Sequence, residues 1–268
     1  MRMFDFMPQW TLYVAAGLLG AILGSFANVC IVRLPKDESI VSPRSHCRSC
    51  DHVLSWWENI PVASYIFLLG RCRMCGARVS IRYPLVELIC VGLSLLTWYF
   101  FLNPLYYLVY FCLFVVPLVI ITFIDLEHRI IPNEISIPGI FVGIAVHTFL
   151  SGGVYWRAAL DSVIGLVAGG GILFLVAYVY EKLRKQQGLG GGDVKLMAML
   201  GAFFGWQGVL FILLISSVVG SVIGIIFVVI LRKDIKYAIP FGPFLAFAGM
   251  IYLFLGQKLI YWYLTLFF

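Results

Sequence analysis

The chain has 268 residues, of which 62% are hydrophobic and only 12% are charged. Soluble domains carry roughly 25% charged residues, so this composition excludes an ordinary soluble enzyme, a disordered tail and a DNA-binding domain. The mean hydropathy of +0.99 agrees. A chain of this length has room for about seven or eight membrane spans of about 20 residues each.

Long apolar runs predict an all-α polytopic membrane protein, a bundle of about eight transmembrane helices with a small zinc-binding insertion. Lipid accepts only helices or closed barrels, and these runs lack the alternation of barrel strands. Glycines in the first and fifth runs predict close helix packing, and no internal repeat is evident. The predicted spans are residues 10–32, 84–102, 105–124, 135–150, 160–180, 194–207, 208–231 and 239–256.

The loops differ in charge in a way that predicts orientation. The polar stretch 33–83 carries eight basic residues (Arg33, Lys36, Arg44, Arg48, Arg71, Arg73, Arg78 and Arg82) and four acidic ones (Asp37, Glu38, Asp51 and Glu58). By the positive-inside rule this stretch is cytoplasmic. Counting spans places 125–133, 181–193 and 232–237 on the same side, whereas the opposite loops contain a single basic residue, Arg157.

Four of the seven cysteines form two C-x2-C pairs in the polar stretch, Cys47/Cys50 and Cys72/Cys75. Two such pairs supply the four thiolates of a tetrahedral zinc site, and nearby arginines favour the thiolate form. Two disulfides or four free thiols are the alternatives, and a reducing cytoplasm disfavours disulfides. Because four cysteines leave no open position on the metal, we predict a structural zinc.

Two aspartates stand out at span ends that the predicted topology places on one membrane face. Asp125 ends the third span, and Asp193 opens the sixth. Carboxylates near hydrocarbon are costly and usually functional, and two that approach each other share one proton. Such a pair can activate a water as base while it protonates a carbonyl as acid. The alternative is a pair of interfacial acids that cap helices or bind Arg129 and Lys195.

The residues around Asp193 predict a close backbone approach to a peptide. Three glycines precede it and a lysine follows two positions later: Gly190, Gly191, Gly192 and Lys195. Glycine lets the backbone come near a substrate and opens the following helix. We interpret these residues as an active-site loop.

Three other titratable residues lie near span ends. Glu87 opens the second span, where a carboxylate also suits a helix N-terminus; an acid there can hold an ammonium group or help to deprotonate it. Asp161 is interpreted as a residue of a helix N-terminus on the outer face, and His147 as an interfacial side chain.

At these residues the sequence resembles the type IV prepilin peptidase family, the bifunctional leader peptidase/N-methyltransferases, over nearly the whole chain. The motifs that carry the resemblance are Gly24–Val29 with Arg33-Leu34-Pro35, the double C-x2-C with Asn59-Ile60-Pro61, Arg82-Tyr83-Pro84 with Glu87, Asp125 with Ile131-Pro132, Gly190–Asp193 with Val194-Lys195-Leu196, and Pro240–Phe244. Ala27 and Arg48 depart from the usual pattern, at positions away from the proposed catalytic atoms.

The resemblance implies a membrane aspartyl endopeptidase in the bacterial inner membrane, with Asp125 and Asp193 as catalytic residues. Its substrates are prepilin or pseudopilin precursors, which lose a short basic leader at the cytoplasmic face. It implies a second reaction, N-methylation of the new terminus with S-adenosylmethionine as methyl donor, for which Glu87 is a candidate residue.

The predicted division is a first transmembrane helix (1–32), a zinc-binding insertion associated with methylation (33–83) and a peptidase bundle (84–268). The partners are the lipid bilayer and the precursor proteins, and no nucleic acid is expected. A membrane transporter and a non-enzymatic zinc-ribbon scaffold are the alternatives. The first would place charges near the bilayer midplane, and the second would leave both aspartates without a role.

Overall fold

The computed structural model describes residues 8–150, 152–185, 190–229 and 240–267. Within them the regular structure is helical, and the extended backbone amounts to two isolated bridges. The basic segment predicted at 232–237 lies outside the described residues. The helices are α1 (Gln9–Arg33), α2 (Ala63–Phe67), α3 (Arg82–Phe101), α4 (Pro104–His128), α5 (Asn133–Leu150), α6 (Tyr155–Arg184), α7 (Gly191–Val229) and α8 (Gly242–Leu266).

Seven of the described helices are long and apolar enough to cross a membrane, all except α2. The protein is therefore a multi-pass membrane protein, as the composition predicts. The chain divides into two compact units, with the boundary between Ile120 and Ile121.

The first unit is built on a close contact between α1 and α3. A Cβ atom on Gly20 would lie 2.8 Å from Val91 Cα, and one on Gly24 would lie 2.8 Å from Glu87 Cα. The two backbones thus touch where the glycines allow it. Polar bonds complete the contact: Ser94 Oγ donates to Ala16 O at 2.6 Å.

In the second unit, α7 is a helical hairpin. A straight helix of 39 residues would be about 58 Å long, almost twice the bilayer's hydrocarbon thickness of about 30 Å. The helix breaks at Gly205, where φ is 69° and ψ is −175°. A Cβ on Gly201 would lie 3.0 Å from Val209 Cγ2, so residues 206–229 run back along residues 191–204.

The hairpin accounts for the eighth predicted span. The sequence places the division between residues 207 and 208, and the structure places it at Gly205. The sequence at this point, Gly205-Trp206-Gln207-Gly208, contains one strongly polar residue, so it marks the division between the two spans only briefly. Within the described residues, the seven long apolar helices therefore comprise eight straight helical segments.

The glycines of α6 let it approach the hairpin closely. A Cβ on Gly165 would overlap the Gly201 carbonyl oxygen, and one on Gly169 would lie 2.6 Å from Met197 O. The predicted packing role of these two glycines is confirmed. A Cβ on Gly171, on the same helix, would meet no atom within 4 Å.

We expect Gly165→Ala to lower the stability of the detergent-solubilised protein by about 1–3 kcal/mol, because the added methyl group overpacks a backbone contact. Gly171→Ala is the matched control and should change it little. Thermal unfolding monitored by circular dichroism compares the two. Equal midpoints for the two variants would contradict the close α6–α7 contact.

Candidate active site and metal centre

Asp125 is placed by the end of α4. The helix ends at His128, and Arg129 follows in the left-handed conformation with φ of 57°. The Arg129 N–H donates to Asp125 O at 2.9 Å, a usual helix C-terminal arrangement. The Asp125 residue is only 5% exposed, and its Oδ2 accepts the Gly242 N–H at 3.0 Å.

Asp193 lies in the first turn of α7. Its N–H donates to Gly190 O at 3.1 Å, and a carboxylate in a first turn is favoured by the helix dipole. It is close enough to Asp125 for the two carboxyl charges to interact. The structure therefore brings both predicted aspartates to the same end of the second unit.

Backbone without side chains surrounds the two carboxyl groups. A Cβ on Gly242 would lie 2.6 Å from Asp125 Oδ2, and a Cβ on Gly192 would lie 2.9 Å from Ile131 Cβ. Both positions therefore require glycine. A Cβ on Gly190 would make an ordinary contact, and one on Gly191 would meet no atom within 4 Å.

Lys195 does not bond to either aspartate in the described hydrogen bonds. Its Nζ donates to Asn133 Oδ1 at 2.7 Å, which ties the start of α7 to the start of α5. The short segment Arg129–Pro132 joins α4 to α5, and Pro132 O accepts from the N–H and the Oγ of Ser136. The Lys195–Asn133 bond therefore keeps the starts of α5 and α7 together, and the Ser136 bonds hold the first turn of α5.

Gly242 and Ile131 were missed as members of this site. The sequence signal for Gly242 was present in the motif Pro240–Phe244. That motif gave no indication that a backbone N–H, rather than a side chain, would reach Asp125.

The four cysteines of the insertion form one cluster. Their sulfur atoms all lie within 4.8 Å of one another, with Cys47 Sγ 3.8 Å from Cys75 Sγ and Cys50 Sγ 3.9 Å from Cys72 Sγ. Tetrahedral zinc with bonds of about 2.3 Å separates its thiolates by about 3.8 Å. The cluster therefore fits zinc, and all four ligand positions would be filled by cysteine.

The cluster is made by two equivalent hairpins, which form a repeat within the insertion that is not evident in the sequence. In the first hairpin, Cys47 N donates to His52 O and Asp51 N to Cys47 O. Each bond recurs 25 positions later, as Cys72 N to Ala77 O and Gly76 N to Cys72 O. Asp51 and Gly76 both have positive φ, 53° and 70°. Apart from the cysteines, few residues match between the two halves, which hid the repeat.

The thiols of Cys47 and Cys50 differ in how readily they ionise. The backbone N–H of Ser49 lowers the pKa of Cys47 to about 7. The pKa of Cys50 rises to about 12, although the backbone N–H of His52 lowers it, because the three neighbouring thiols oppose a second negative charge. Four thiols so close cannot all ionise without a cation, and a divalent metal supplies that charge.

A second polar contact stabilises the insertion beside the cysteines. Glu58 Oε2 accepts the Ser55 N–H at 2.7 Å and lies 3.2 Å from His52 Nε2. The Ser55 N–H is the main reason that the pKa of Glu58 is lowered. A capping box thus forms at Ser55 and Glu58.

Glu87 lies near the start of α3, where its carboxylate binds the backbone of a strained turn. Its Oε2 accepts the Val62 N–H at 2.7 Å, and the Ser25 side chain also bonds to it. Val62 has φ of 59° and ψ of −49°, which is rare for a β-branched residue. Ala63 N donates to Pro61 O at 2.5 Å, so Val62 is the centre of a γ-turn.

Together these features define a polytopic helical membrane protein with a pair of interacting carboxyl groups at one end of its bundle and a four-cysteine cluster. Residues 18–101 match the family described as "Bacterial Peptidase A24 N-terminal domain", and residues 112–225 match the "Type IV leader peptidase family". The chain belongs to the type IV leader peptidase family and is an enzyme of the peptidase class.

Relatives that match most of the chain carry the name prepilin leader peptidase/N-methyltransferase. The protein of Aeromonas salmonicida (strain A449) is 36% identical over 281 residues, covering 96% of this chain and 95% of its own. That of Pseudomonas putida is 34% identical over 283 residues, covering 97% and 96%. That of Myxococcus xanthus (strain DK1622) is 42% identical over 209 residues, covering 78% and 61%. No solved structure matches the chain.

We expect metal-replete protein to contain one zinc per chain. Replacing Cys47 and Cys72 by Ser removes one ligand from each hairpin and should lose the zinc, because a two-cysteine remnant cannot fill a tetrahedral shell. Cys112→Ser, on α4 outside the cluster, should keep it. Elemental analysis of the purified proteins measures the ratio, and metal-replete parent protein without zinc would contradict the assignment.

Proposed function

We propose that the protein removes the leader from prepilin and pseudopilin precursors and then N-methylates the new terminus with S-adenosylmethionine. The observation that carries the peptidase half is the burial of Asp125 beside Asp193 at one end of the second unit. The names of the relatives support both halves. None of the relatives reported above is named as a transporter or a scaffold, so neither alternative gains support.

The two aspartates act as a general acid–base pair. Two carboxyl groups that interact hold one proton between them at neutral pH. The ionised member takes a proton from a water molecule as that water attacks the scissile carbonyl, and the protonated member donates to the carbonyl oxygen. The Gly242 N–H fixes one oxygen of Asp125 and leaves the other available for the water.

The glycine-lined backbone gives the substrate room beside this pair. Because Gly192 and Gly242 carry no side chain, an extended peptide can reach the carboxyl groups from the surrounding surface. A precursor whose basic leader stays on the cytoplasmic side and whose apolar helix lies in the bilayer presents its scissile bond at the membrane face. We therefore place the site at the cytoplasmic face of the inner membrane.

Methylation is assigned to the first unit, with the zinc-bearing insertion 33–83 as its cytoplasmic part. S-adenosylmethionine supplies a methyl group from a sulfonium, and the acceptor amine must be neutral to attack it. The Glu87 carboxylate can stabilise the positive charge of the sulfonium or of the protonated new terminus. The strained γ-turn at Val62 supports a functional role, since such a backbone persists only where the surroundings hold it.

We expect Asp125→Asn and Asp193→Asn each to lower leader cleavage by about 10²–10⁴-fold, because an amide cannot exchange the proton that acid–base catalysis requires. Glu127→Gln, which removes a charge two residues from Asp125, is the matched control and should cleave at close to the parent rate. Cleavage of a purified precursor in detergent, followed by mass spectrometry, gives the rates. Either aspartate variant working at more than about a tenth of the parent rate would rule out the pair.

We expect Glu87→Gln to slow methylation of an already cleaved substrate by about tenfold or more while leader cleavage changes little, because the carboxylate charge is lost and the Val62 hydrogen bond can remain. Glu38→Gln, an exposed acid of the insertion, is the control. Incorporation of the methyl group from S-adenosylmethionine is read by mass spectrometry. Normal methylation by Glu87→Gln would reduce Glu87 to a helix N-terminal residue.

A further inference from the structure

A second polar cluster lies at the far end of α5 from Asn133. His147 Nε2 is 3.0 Å from Asp161 Oδ2, and His147 Nδ1 is 2.9 Å from Phe203 O. The histidine side chain is 16% exposed and the aspartate side chain 37%. The two side chains bind each other across α5 and α6. Because α6 begins at Tyr155, Asp161 lies in its second turn, so the interpretation of Asp161 as a helix N-terminal residue is wrong. The interpretation of His147 as an interfacial side chain stays a prediction.

The cluster binds the end of the short helix that begins near Asp193. The carbonyl groups of the last turn of a helix need partners from outside the helix, and residues 191–204 end at Gly205. His147 Nδ1 donates to the Phe203 carbonyl, and Ser162 Oγ donates to the Ala202 carbonyl at 2.7 Å. Side chains of α5 and α6 thus complete the last turn of this helix.

Asp161 also packs against the turn of the hairpin. A Cβ on Gly205 would overlap the Asp161 carboxylate, so the carboxylate packs directly on the reversing backbone. The Gly205 conformation, with φ of 69° and ψ of −175°, belongs to a region that is essentially confined to glycine. The Asp161 carboxylate therefore contacts both His147 and the backbone of the Gly205 turn.

The short helix connects this cluster rigidly to the candidate active site. From Asp193 to Gly205 is 12 residues, or about 18 Å along the axis. At the Asp193 end the helix is bound through Lys195 and Asn133, and Asn133 begins the same helix α5 that carries His147. A shift of the hairpin turn along α5 would therefore move Asp193 relative to Asp125.

We propose that the His147–Asp161 pair positions Asp193 for peptide cleavage by anchoring the distal end of its helix. Both residues are positioning residues and act through the Phe203 carbonyl and the Gly205 turn. The proposal rests on the proposed role of Asp193 in cleavage.

Two substitutions of Asp161, to Asn and to Ala, test the role of its hydrogen bond to His147. The Phe203 carbonyl can only accept, so His147 Nδ1 carries a proton, and one further proton joins Nε2 to Asp161. In Asp161→Asn a neutral His147 can accept from the new amide and keep both bonds. Asp161→Ala removes the same charge but also the bond, so the two variants separate geometry from charge.

The experiment measures kcat and KM for leader cleavage by the full-length protein in detergent. We expect His147→Phe and Asp161→Ala to lower kcat by about 10–10²-fold with KM nearly unchanged, because a displacement of about 1 Å at a catalytic group can cost about 10²-fold. Asp161→Asn should restore kcat to within about threefold of the parent. Thermal unfolding and methylation of a cleaved peptide, measured on the same samples, report whether each variant is folded.

The outcomes separate this inference from the proposed function. If Asp193→Asn is inactive but kcat of Asp161→Ala lies within twofold of that of Asp161→Asn, the inference is overturned and the function stands. If Asp193→Asn still cleaves the precursor, the proposed catalytic role of Asp193 is wrong, and the inference that rests on it is wrong as well. If His147→Phe proves to be unfolded, the ratio of kcat for Asp161→Ala to kcat for Asp161→Asn is sufficient to test the inference. These two variants lose the same charge and differ in the hydrogen bond to His147.

Discussion

A carboxyl group buried at the end of an apolar helix bundle requires a hydrogen-bond donor, and in this protein the backbone of Gly242 supplies it to Asp125. The remaining arrangement follows from that bond. The first residue of α8 must lie against the last turn of α4, and the contact leaves no room for a Cβ atom. Ile131 packs on both Gly192 and Gly242, so the start of α7 is drawn to the same point. The site is therefore defined by where three helix ends meet.

Much of this could be predicted from the sequence, because membrane spans and thiolate pairs leave strong local signals. The apolar runs located the helices, and the spacing of Cys47, Cys50, Cys72 and Cys75 gave the cluster that the structure forms. The shared location of Asp125 and Asp193 followed from counting spans. Their catalytic role remains a proposal, as does the division of the chain into three functional parts.

Other features depend on contacts between distant residues, which no local pattern records. The contact between His147 and Asp161 could not be predicted from either residue alone, because the two side chains lie on different helices joined by a turn. The two spans divide between residues 207 and 208 in the prediction and at Gly205 in the structure, because Gln207 is the polar residue that marks the division in the sequence, whereas a glycine makes the turn itself. The 25-residue repeat of the insertion is a repeat of backbone hydrogen bonds, and most of its side chains differ.

The shortness of the helix that carries Asp193 has a consequence for the lipid around the protein. Its 14 residues, 191–204, rise about 21 Å, well below the hydrocarbon thickness of about 30 Å. Hydrophobic mismatch of this size is relieved by local thinning of the bilayer or by water above the turn. The partly exposed Asp161 carboxylate at that turn would then meet water at a depth where lipid would otherwise exclude it. We therefore expect the bilayer to be locally thinner beside this hairpin, so that the mismatch around the enzyme depends on the thickness of the surrounding lipid.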